Sequence, residues 1–324
     1  MASQQTAQRT ESFADVFGTV SASVAKVIQG KDDVIELAML CLVAGGHLLI
    51  EDVPGVGKTS LAKALAASIN CSFGRMQFTP DLLPSDVVGI TVWDRGTSTF
   101  EFRPGPIFAN VVLADEINRA SPKTQSALLE AMGERQVTVD GATYPLAPPF
   151  MVIATQNPIE HEGTYPLPES QLDRFLMRVT VGYPARDAEI AILDTHGDVD
   201  KVPDLPHVVT ARQIGALATT ARAVHVAPSL KGYLVDLAEA TRRHPALSLG
   251  MSPRGTLSLQ GVARALAAAH GRSYVVPDDF KALAEPVLAH RLILTPEAQL
   301  QATSIHDVLH EVLRSVPVPS GRSS

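Results

Sequence analysis

The chain has 324 residues, enough for one large domain or two of ordinary size. Hydrophobic residues make up 45% and charged residues 19%, which excludes a disordered chain and indicates a substantial core. The formal net charge of −7 argues against a nucleic-acid binder that relies on its overall charge, although a local basic channel stays compatible with it. Cys41 and Cys71 are too few for a disulfide framework and favour buried thiols in a reducing compartment.

The chain shows neither a signal peptide nor a membrane span. Residues 1–12 are polar. The most apolar stretch, 34–50, is interrupted by Glu36, two glycines and His47, which predicts a helix, a turn and a strand instead of a spanning helix. We therefore expect a cytosolic protein.

In chain order, the first two thirds of the sequence alternate between helices and short strands. Apolar periodicity predicts helices over 13–27, 34–43, 60–69, 124–134 and 169–176. Apolar runs predict strands over 47–51, 75–78, 111–113, 150–154 and 178–181. Two hairpins are predicted over 88–102 and 136–146, the second around Asp140-Gly141. This alternation favours an α/β fold with a mainly parallel sheet covered by helices on both faces.

The pattern changes after about residue 196. A polar, proline-containing linker is predicted over 197–206. Beyond it the sequence predicts only helices, over 210–222, 228–243, 253–270, 277–290 and 297–313. We therefore predict an α/β nucleotide-binding domain over 1–196 and an all-α second domain over 207–318.

A phosphate-binding turn is predicted between the strand at 47–51 and the next helix. Its residues are Val53, Pro54, Gly55, Val56, Gly57, Lys58 and Thr59, and Ser60 begins the helix. Glycines let backbone N–H groups approach phosphate oxygens, and the helix start adds positive potential. Lys58 can reach the β- and γ-phosphates of ATP, and the Thr59 hydroxyl can bind Mg²⁺. The general pattern has Gly where this chain has Asp52, so that carboxylate must point away from the phosphates or weaken binding.

Other candidate residues follow strands or begin helices. Asp115 and Glu116 end an apolar strand, where Asp115 can hold Mg²⁺ and Glu116 can polarise the attacking water. Asn157 ends the next strand and can hydrogen-bond the γ-phosphate, although an Asn before Pro is also common in turns. Arg174 can contact a phosphate or form a salt bridge with Asp173 or Glu169. Arg254, in the first turn of a helix, can bind a phosphate or be solvated.

These residues, in this order and followed by a helical domain, resemble the site of an AAA+ ATPase. Flanking segments resemble the MoxR family within that class. They are Glu51–Gly55, Gln77–Asp86, Asp115–Ala120, Ala154–Pro158, Leu167–Phe175 and Ser252–Arg254. The resemblance spans roughly residues 13 to 314, and these segments are much more specific than a P-loop alone.

The resemblance implies a fold and an assembly. The hairpins match the helix-2 and pre-sensor-1 inserts of the clade that contains magnesium chelatase and the MCM helicases, and the helical domain becomes a lid. Asn157 becomes sensor 1, Arg254 sensor 2, and Arg174 an arginine finger that acts on the neighbouring subunit. A ring is then implied, with a hexamer as the expected size. Gln77 becomes a switch residue that holds Glu116 until a partner engages.

The implied function is chaperone-like remodelling or maturation of a protein client, with a von Willebrand factor A domain protein as a candidate partner. ATP and Mg²⁺ are the implied cofactors. Three alternatives stay open: a nucleotide-dependent assembly switch, a magnesium-chelatase-like subunit, and an MCM-like nucleic-acid motor. The acidic balance weighs against nucleic acid.

Overall fold

The computed structural model describes residues 12–158, 163–195 and 205–319. The helices of the first domain are α1 Phe13–Ala25, α2 Asp32–Val43, α3 Lys58–Ser68, α4 Pro84–Val88, α5 Pro122–Glu134, α6 Glu169–Leu172 and α7 Arg186–Thr195. Its strands are β1 Leu48–Glu51, β2 Phe73–Gln77, β3 Gly89–Asp94, β4 Thr99–Pro104, β5 Val111–Asp115, β6 Gln136–Val139, β7 Ala142–Pro145, β8 Met151–Gln156 and β9 Met177–Val179. The predicted elements are therefore present, with ends that shift by a few residues.

Five strands form a parallel sheet in the order β2-β5-β8-β1-β9. The register pairs Leu48 with both Ile153 and Met177, so β1 lies between β8 and β9. Because all five strands run the same way, their carboxyl ends share one edge of the sheet. Ligands of open parallel sheets bind at that edge, and the connections after β1, β5, β8 and β9 all start there.

The sheet separates two apolar cores. Leu48 and Ile50 of β1 face the core that α1, α2, α3 and the C-terminal helices complete, whereas Leu49 faces the core beneath α5. Side chains that alternate between two buried faces explain why the central strands are continuous apolar runs. The cysteines are free thiols; Cys41 is buried and Cys71 is half-buried.

Two hairpins project from the sheet as predicted. In the second, Asp140 (φ 51°) and Gly141 (φ 81°) both adopt left-handed conformations, as a two-residue hairpin turn requires. Phe102 of β4 stacks on Tyr144 of β7 with ring centroids 4.1 Å apart, which joins the two hairpins. Tertiary packing thus fixes their relative placement.

The C-terminal region is helical, as predicted, with one boundary error. Its helices are α8 Ala211–Ala223, α9 Pro228–Arg243, α10 Pro253–Ala269, α11 Pro277–Leu288, α12 Pro296–Leu300 and α13 Ile305–Ser315. The single helix predicted over 297–313 is wrong: the chain breaks at Ala302 (φ 56°), and Ser304 caps α13 by accepting the Asp307 N–H at 3.0 Å. A short antiparallel pair, β10 Leu247–Leu249 with β11 Ile293–Leu294, was not predicted.

Most of the predicted linker, 197–206, lies outside the described residues, so the domain boundaries stay predictions. Within the described ranges, no helix combines the length and apolarity needed to cross a membrane.

Two buried histidines are expected to make stability depend on pH. Burial lowers the pKa of His47 from 6.5 to about 4 and that of His290 from 6.5 to about 3. The His47 ring accepts the Val152 N–H at 3.0 Å through Nδ1, so protonation of that nitrogen breaks this bond. Between these values and pH 6.5, the unfolded chain binds protons that the folded chain does not. The stability that these two histidines contribute is therefore present above pH 6.5 and is lost as the pH falls below it.

From pH 7 to pH 5 we expect each histidine to lower the free energy of unfolding by about 2 kcal/mol. Urea unfolding at both pH values measures this. His47→Gln should reduce the dependence by about half, because His290 remains, and the exposed-site variant His207→Gln should keep it in full. Equal pH dependence in the wild type and His47→Gln would contradict the assignment.

Candidate nucleotide-binding site

The turn between β1 and α3 has the geometry of a phosphate cradle. Gly55 and Gly57 have φ of 87° and 89°, a region that side chains disfavour. A Cβ at Gly55 would meet no heavy atom within 4 Å, so the turn is open toward solvent. Helix α3 has 11 residues and begins at Lys58, directly after Gly57. Backbone N–H groups and the helix start therefore offer positive potential at one place.

Lys58 lies at the base of this turn. Its Nζ donates to the backbone oxygen of Asp52 at 2.7 Å. Desolvation lowers the pKa of Lys58, and the negative charges of Asp52, Asp115 and Glu116 oppose that shift. A phosphate would add the same kind of stabilisation to the ammonium.

Asp115 is held by two neighbours at the end of β5. One oxygen, Oδ1, accepts the Thr155 hydroxyl at 2.7 Å, and the other, Oδ2, pairs with Arg75 at 2.9 Å. Thr155 is fully buried and also accepts the Glu116 N–H at 2.9 Å. Neither Thr155 nor Arg75 was found from the sequence. The position of Thr155 at the end of β8, beside β5, was the available signal.

Glu116 is restrained on both sides. Its Oε2 accepts Gln77 Nε2 at 2.9 Å and Arg119 Nη1 at 3.0 Å. The residue has a φ of 56°, an uncommon value for a side-chain-bearing residue. Gln77 was predicted as the switch residue; it does bind Glu116, and its role as a switch stays a prediction. Arg119 was not predicted.

One cleft gathers most of the predicted site. Its volume is about 330 Å³, and its described lining consists of Pro54, Gly55, Gly57, Lys58, Thr59, Ser60, Asp115, Glu116 and Asn157. Of the other predicted residues, Val53 and Val56 belong to the same turn but do not line the cleft. The strand ends thus bring together residues that are about 100 positions apart in the sequence.

The oxygen atoms in the cleft suit magnesium. Thr59 supplies a hydroxyl and Asp115 a carboxylate, and both line the same cleft. Mg²⁺ prefers oxygen ligands and keeps several waters when it binds beside phosphates, so two protein ligands are enough. Across the described residues, no three His, Cys, Asp or Glu side chains are grouped to hold a metal by themselves.

Arg174 and Arg254 lie outside the described lining. Arg174 Nη1 donates to the backbone oxygen of Leu129 in α5. Arg254, in the first turn of α10, has Nε 3.6 Å from Asp173 Oδ2, and its side chain is 58% exposed. Asp173 also binds Arg291 at 2.6 Å. Asp173 therefore pairs with Arg254 and Arg291, whereas Arg174 contacts Leu129.

Comparison with known proteins agrees with this geometry. A family model described as "ATPase family associated with various cellular activities (AAA)" matches residues 47–177, and an AAA lid domain model matches residues 239–312. Chaperone MoxR1 of Mycobacterium tuberculosis is 41% identical over 91% of this chain and 80% of its own length. The uncharacterised protein YeaC of Bacillus subtilis is 48% identical over 97% of this chain and 98% of its own length.

A solved structure shares the whole architecture. It comes from Cytophaga hutchinsonii and is described as a "putative ATPase". The two structures match with a TM-score of 0.89 and 37% sequence identity, over 95% of this chain and 96% of that one. The parallel sheet, the P-loop cleft and the helical lid define a P-loop protein of the AAA+ class. Within that class, the chain belongs to the MoxR family of AAA+ ATPases.

Proposed function

We propose that this protein hydrolyses ATP in a ring whose neighbouring subunits complete each site, and that hydrolysis drives remodelling or maturation of a protein client. One observation carries the ring: the cleft gathers Lys58, Thr59, Asp115, Glu116 and Asn157 but not the two predicted arginines. In phosphoryl transfer an arginine commonly stabilises the negative charge of the transition state, and the described lining of this cleft contains no arginine. A neighbouring subunit can supply it.

The cleft residues divide the chemistry among themselves. Glu116 takes a proton from water as the water oxygen bonds to the γ-phosphorus and the bond to the β–γ bridging oxygen breaks. Lys58 and the start of α3 stabilise charge that collects on the departing ADP. Thr59 and Asp115 would hold magnesium, which supplies positive charge to the phosphates when bound. Asn157 orients the water and the γ-phosphate.

The positions of the two arginines support a role between subunits. Arg254, at the start of α10, pairs with Asp173 directly after α6, and Arg174 contacts the Leu129 carbonyl of α5. Arg254 is more than half exposed, so it is accessible to an adjoining molecule. We therefore assign Arg174 as the finger and Arg254 as a second phosphate contact, both acting in trans.

The first hairpin is our candidate for client contact. Trp93 and Phe100 are a cross-strand pair with ring centroids 5.0 Å apart, and they are 49% and 72% exposed. Exposed aromatic pairs are common anchors for apolar segments of a partner. The chaperone name of the MoxR1 relative supports a protein client. A partner with a von Willebrand factor A domain and the cytosolic location stay predictions.

A nucleotide-dependent assembly switch is the second candidate. The observation that favours it is the double restraint of Glu116 by Gln77 and Arg119, which predicts slow basal turnover. The chelatase-like and nucleic-acid-motor alternatives use the same cleft and differ in their partners. ATPase activity that rises several-fold with DNA would favour the motor, against the net charge of −7.

The proposal is tested by measuring ATPase rate and particle mass together. We expect the wild type to assemble into rings with ATP and to hydrolyse it slowly, and to turn over faster when a reduced, unfolded model protein is added. Lys58→Ala should bind and hydrolyse ATP far less well, because it loses the ammonium that would bind the β- and γ-phosphates.

A double variant of the first hairpin tests client contact. Trp93→Ala with Phe100→Ala should keep the basal rate and lose the stimulation, because both side chains lie on the exposed hairpin face. A wild type that stays monomeric with ATP and hydrolyses it at full rate would contradict the shared site. Stimulation that survives in the double variant would remove the hairpin from client contact.

A further inference from the structure

We infer that Asp52, which stands where the general P-loop pattern has Gly, is a positioning residue for the base half of the nucleotide. The inference rests on the proposed function, because it assumes that the cleft binds ATP. In this role Asp52 acts on the base side of the nucleotide and takes no part in binding the phosphates.

The Asp52 carboxylate is turned away from the cleft and fully engaged. The residue is only 7% exposed. Oδ1 accepts the Val53 N–H at 2.7 Å, and Oδ2 accepts the N–H of Gly182, which follows β9. Its own N–H donates to Gln156 of β8 at 3.2 Å. Two N–H donors stabilise the buried charge, so it does not face the phosphates.

Asp52 and Lys31 bind neighbouring residues of the chain after β9, namely Gly182 and Tyr183. Gly182 has a φ of 66°, and the next residue, Tyr183, accepts Lys31 Nζ at its backbone oxygen at 2.8 Å. An anion on one N–H and a cation on the next C=O fix these adjoining residues from two directions. The Tyr183 side chain is nevertheless 75% exposed, so its ring face is available.

The order of the strands indicates which part of a bound nucleotide would lie beside Tyr183. Asp115 ends β5 and Asn157 follows β8, and both strands lie on one side of β1, so a γ-phosphate and its metal would be held there. Gly182 and Tyr183 follow β9, which lies on the opposite side of β1. A nucleotide whose γ-phosphate points toward β5 extends its base toward β9.

A second connection closes the β9 side. A Cβ at Gly57 of the P-loop would lie 3.8 Å from Ile28, and one at Gly30 would lie 3.0 Å from Ala188. The α1–α2 connection, the P-loop and the start of α7 therefore meet beside the phosphate turn. A purine that enters this junction finds an apolar side chain and an exposed aromatic ring, on which planar bases stack. Asp52 sets the position of that ring through Gly182.

The test compares ADP with inorganic tripolyphosphate, which has the phosphates and no base. Titration calorimetry in Mg²⁺ buffer should show that Asp52→Gly, which restores the general P-loop pattern, weakens ADP binding by about tenfold. Tripolyphosphate binding should stay unchanged. Tyr183→Ala should give the same selective loss, and Tyr183→Phe, which keeps the ring, should bind both ligands like the wild type.

The contradicting outcomes are distinct. ADP affinity that is unchanged or higher in Asp52→Gly would make the residue a tolerated departure with no positioning role. An equal loss for both ligands would place Asp52 in the phosphate site instead. Should Asp52→Gly fail to fold, the exposed Tyr183 variants decide the matter, and full ADP affinity in Tyr183→Ala would overturn the inference. A wild type that binds neither ligand would overturn the proposed function itself.

Discussion

Replacement of Glu116 by Gln is expected to lower ATP turnover by about 10²–10³-fold while ATP binding survives. The amide has nearly the same shape and can still accept from Gln77 and Arg119, so the turn after β5 should keep its geometry. It cannot take a proton from water. Bound ATP should therefore persist, and the ATP-dependent ring should last longer than in the wild type.

The measurement is single-turnover hydrolysis with a parallel ADP and ATP binding titration. Glu297→Gln, an exposed carboxylate in α12, is the matched control and should behave like the wild type. If Glu116→Gln hydrolyses ATP at the wild-type rate, another group is the base. If it loses hydrolysis and the protein still performs its biological task, the assembly switch replaces the motor.

Replacement of Arg174 by Ala is expected to lower turnover by about 10³-fold, because an arginine finger stabilises charge that develops in the transition state. ATP binding should change little, since Arg174 lies outside the described lining of its own cleft. Arg174→Lys keeps the charge but not the planar fork, so it should recover only part of the rate. ATPase assays with a binding titration measure both effects.

Two controls separate catalysis from folding. Arg222→Ala removes an exposed arginine of α8 and should leave turnover unchanged. Circular dichroism should show that Arg174→Ala is folded, because the Leu129 carbonyl lies within α5 and keeps its N–H partner in the helix. A turnover in Arg174→Ala equal to that of the wild type would reduce Arg174 to a structural contact of α5.

The structural features that the sequence predicted correctly depend on short-range chemistry. The P-loop was found because Gly55, Gly57 and Lys58 fall within four consecutive residues between a strand and a helix. The second hairpin was found because Asp140-Gly141 suits left-handed turn positions. The parallel sheet followed from apolar strands that alternate with helices, and its register then placed Asp115 and Asn157 at one edge.

The parts that the sequence did not predict depend on contacts between distant elements. Thr155 joins Asp115 to Glu116 only because β8 lies beside β5, and nothing near it in the chain announces that role. The small β10–β11 pair lies within a region whose periodicity is otherwise helical. The break at Ala302 was missed because apolar residues recur at helical spacing on both sides of it.

The most direct test of a site shared between subunits is a mixture of the two inactive variants. Glu116→Gln subunits retain Arg174, and Arg174→Ala subunits retain Glu116, so some mixed interfaces carry both groups intact. Random mixing at equal amounts should restore about a quarter of the wild-type ATPase rate if sites act independently. A mixture that stays as inactive as each variant alone would contradict the shared site.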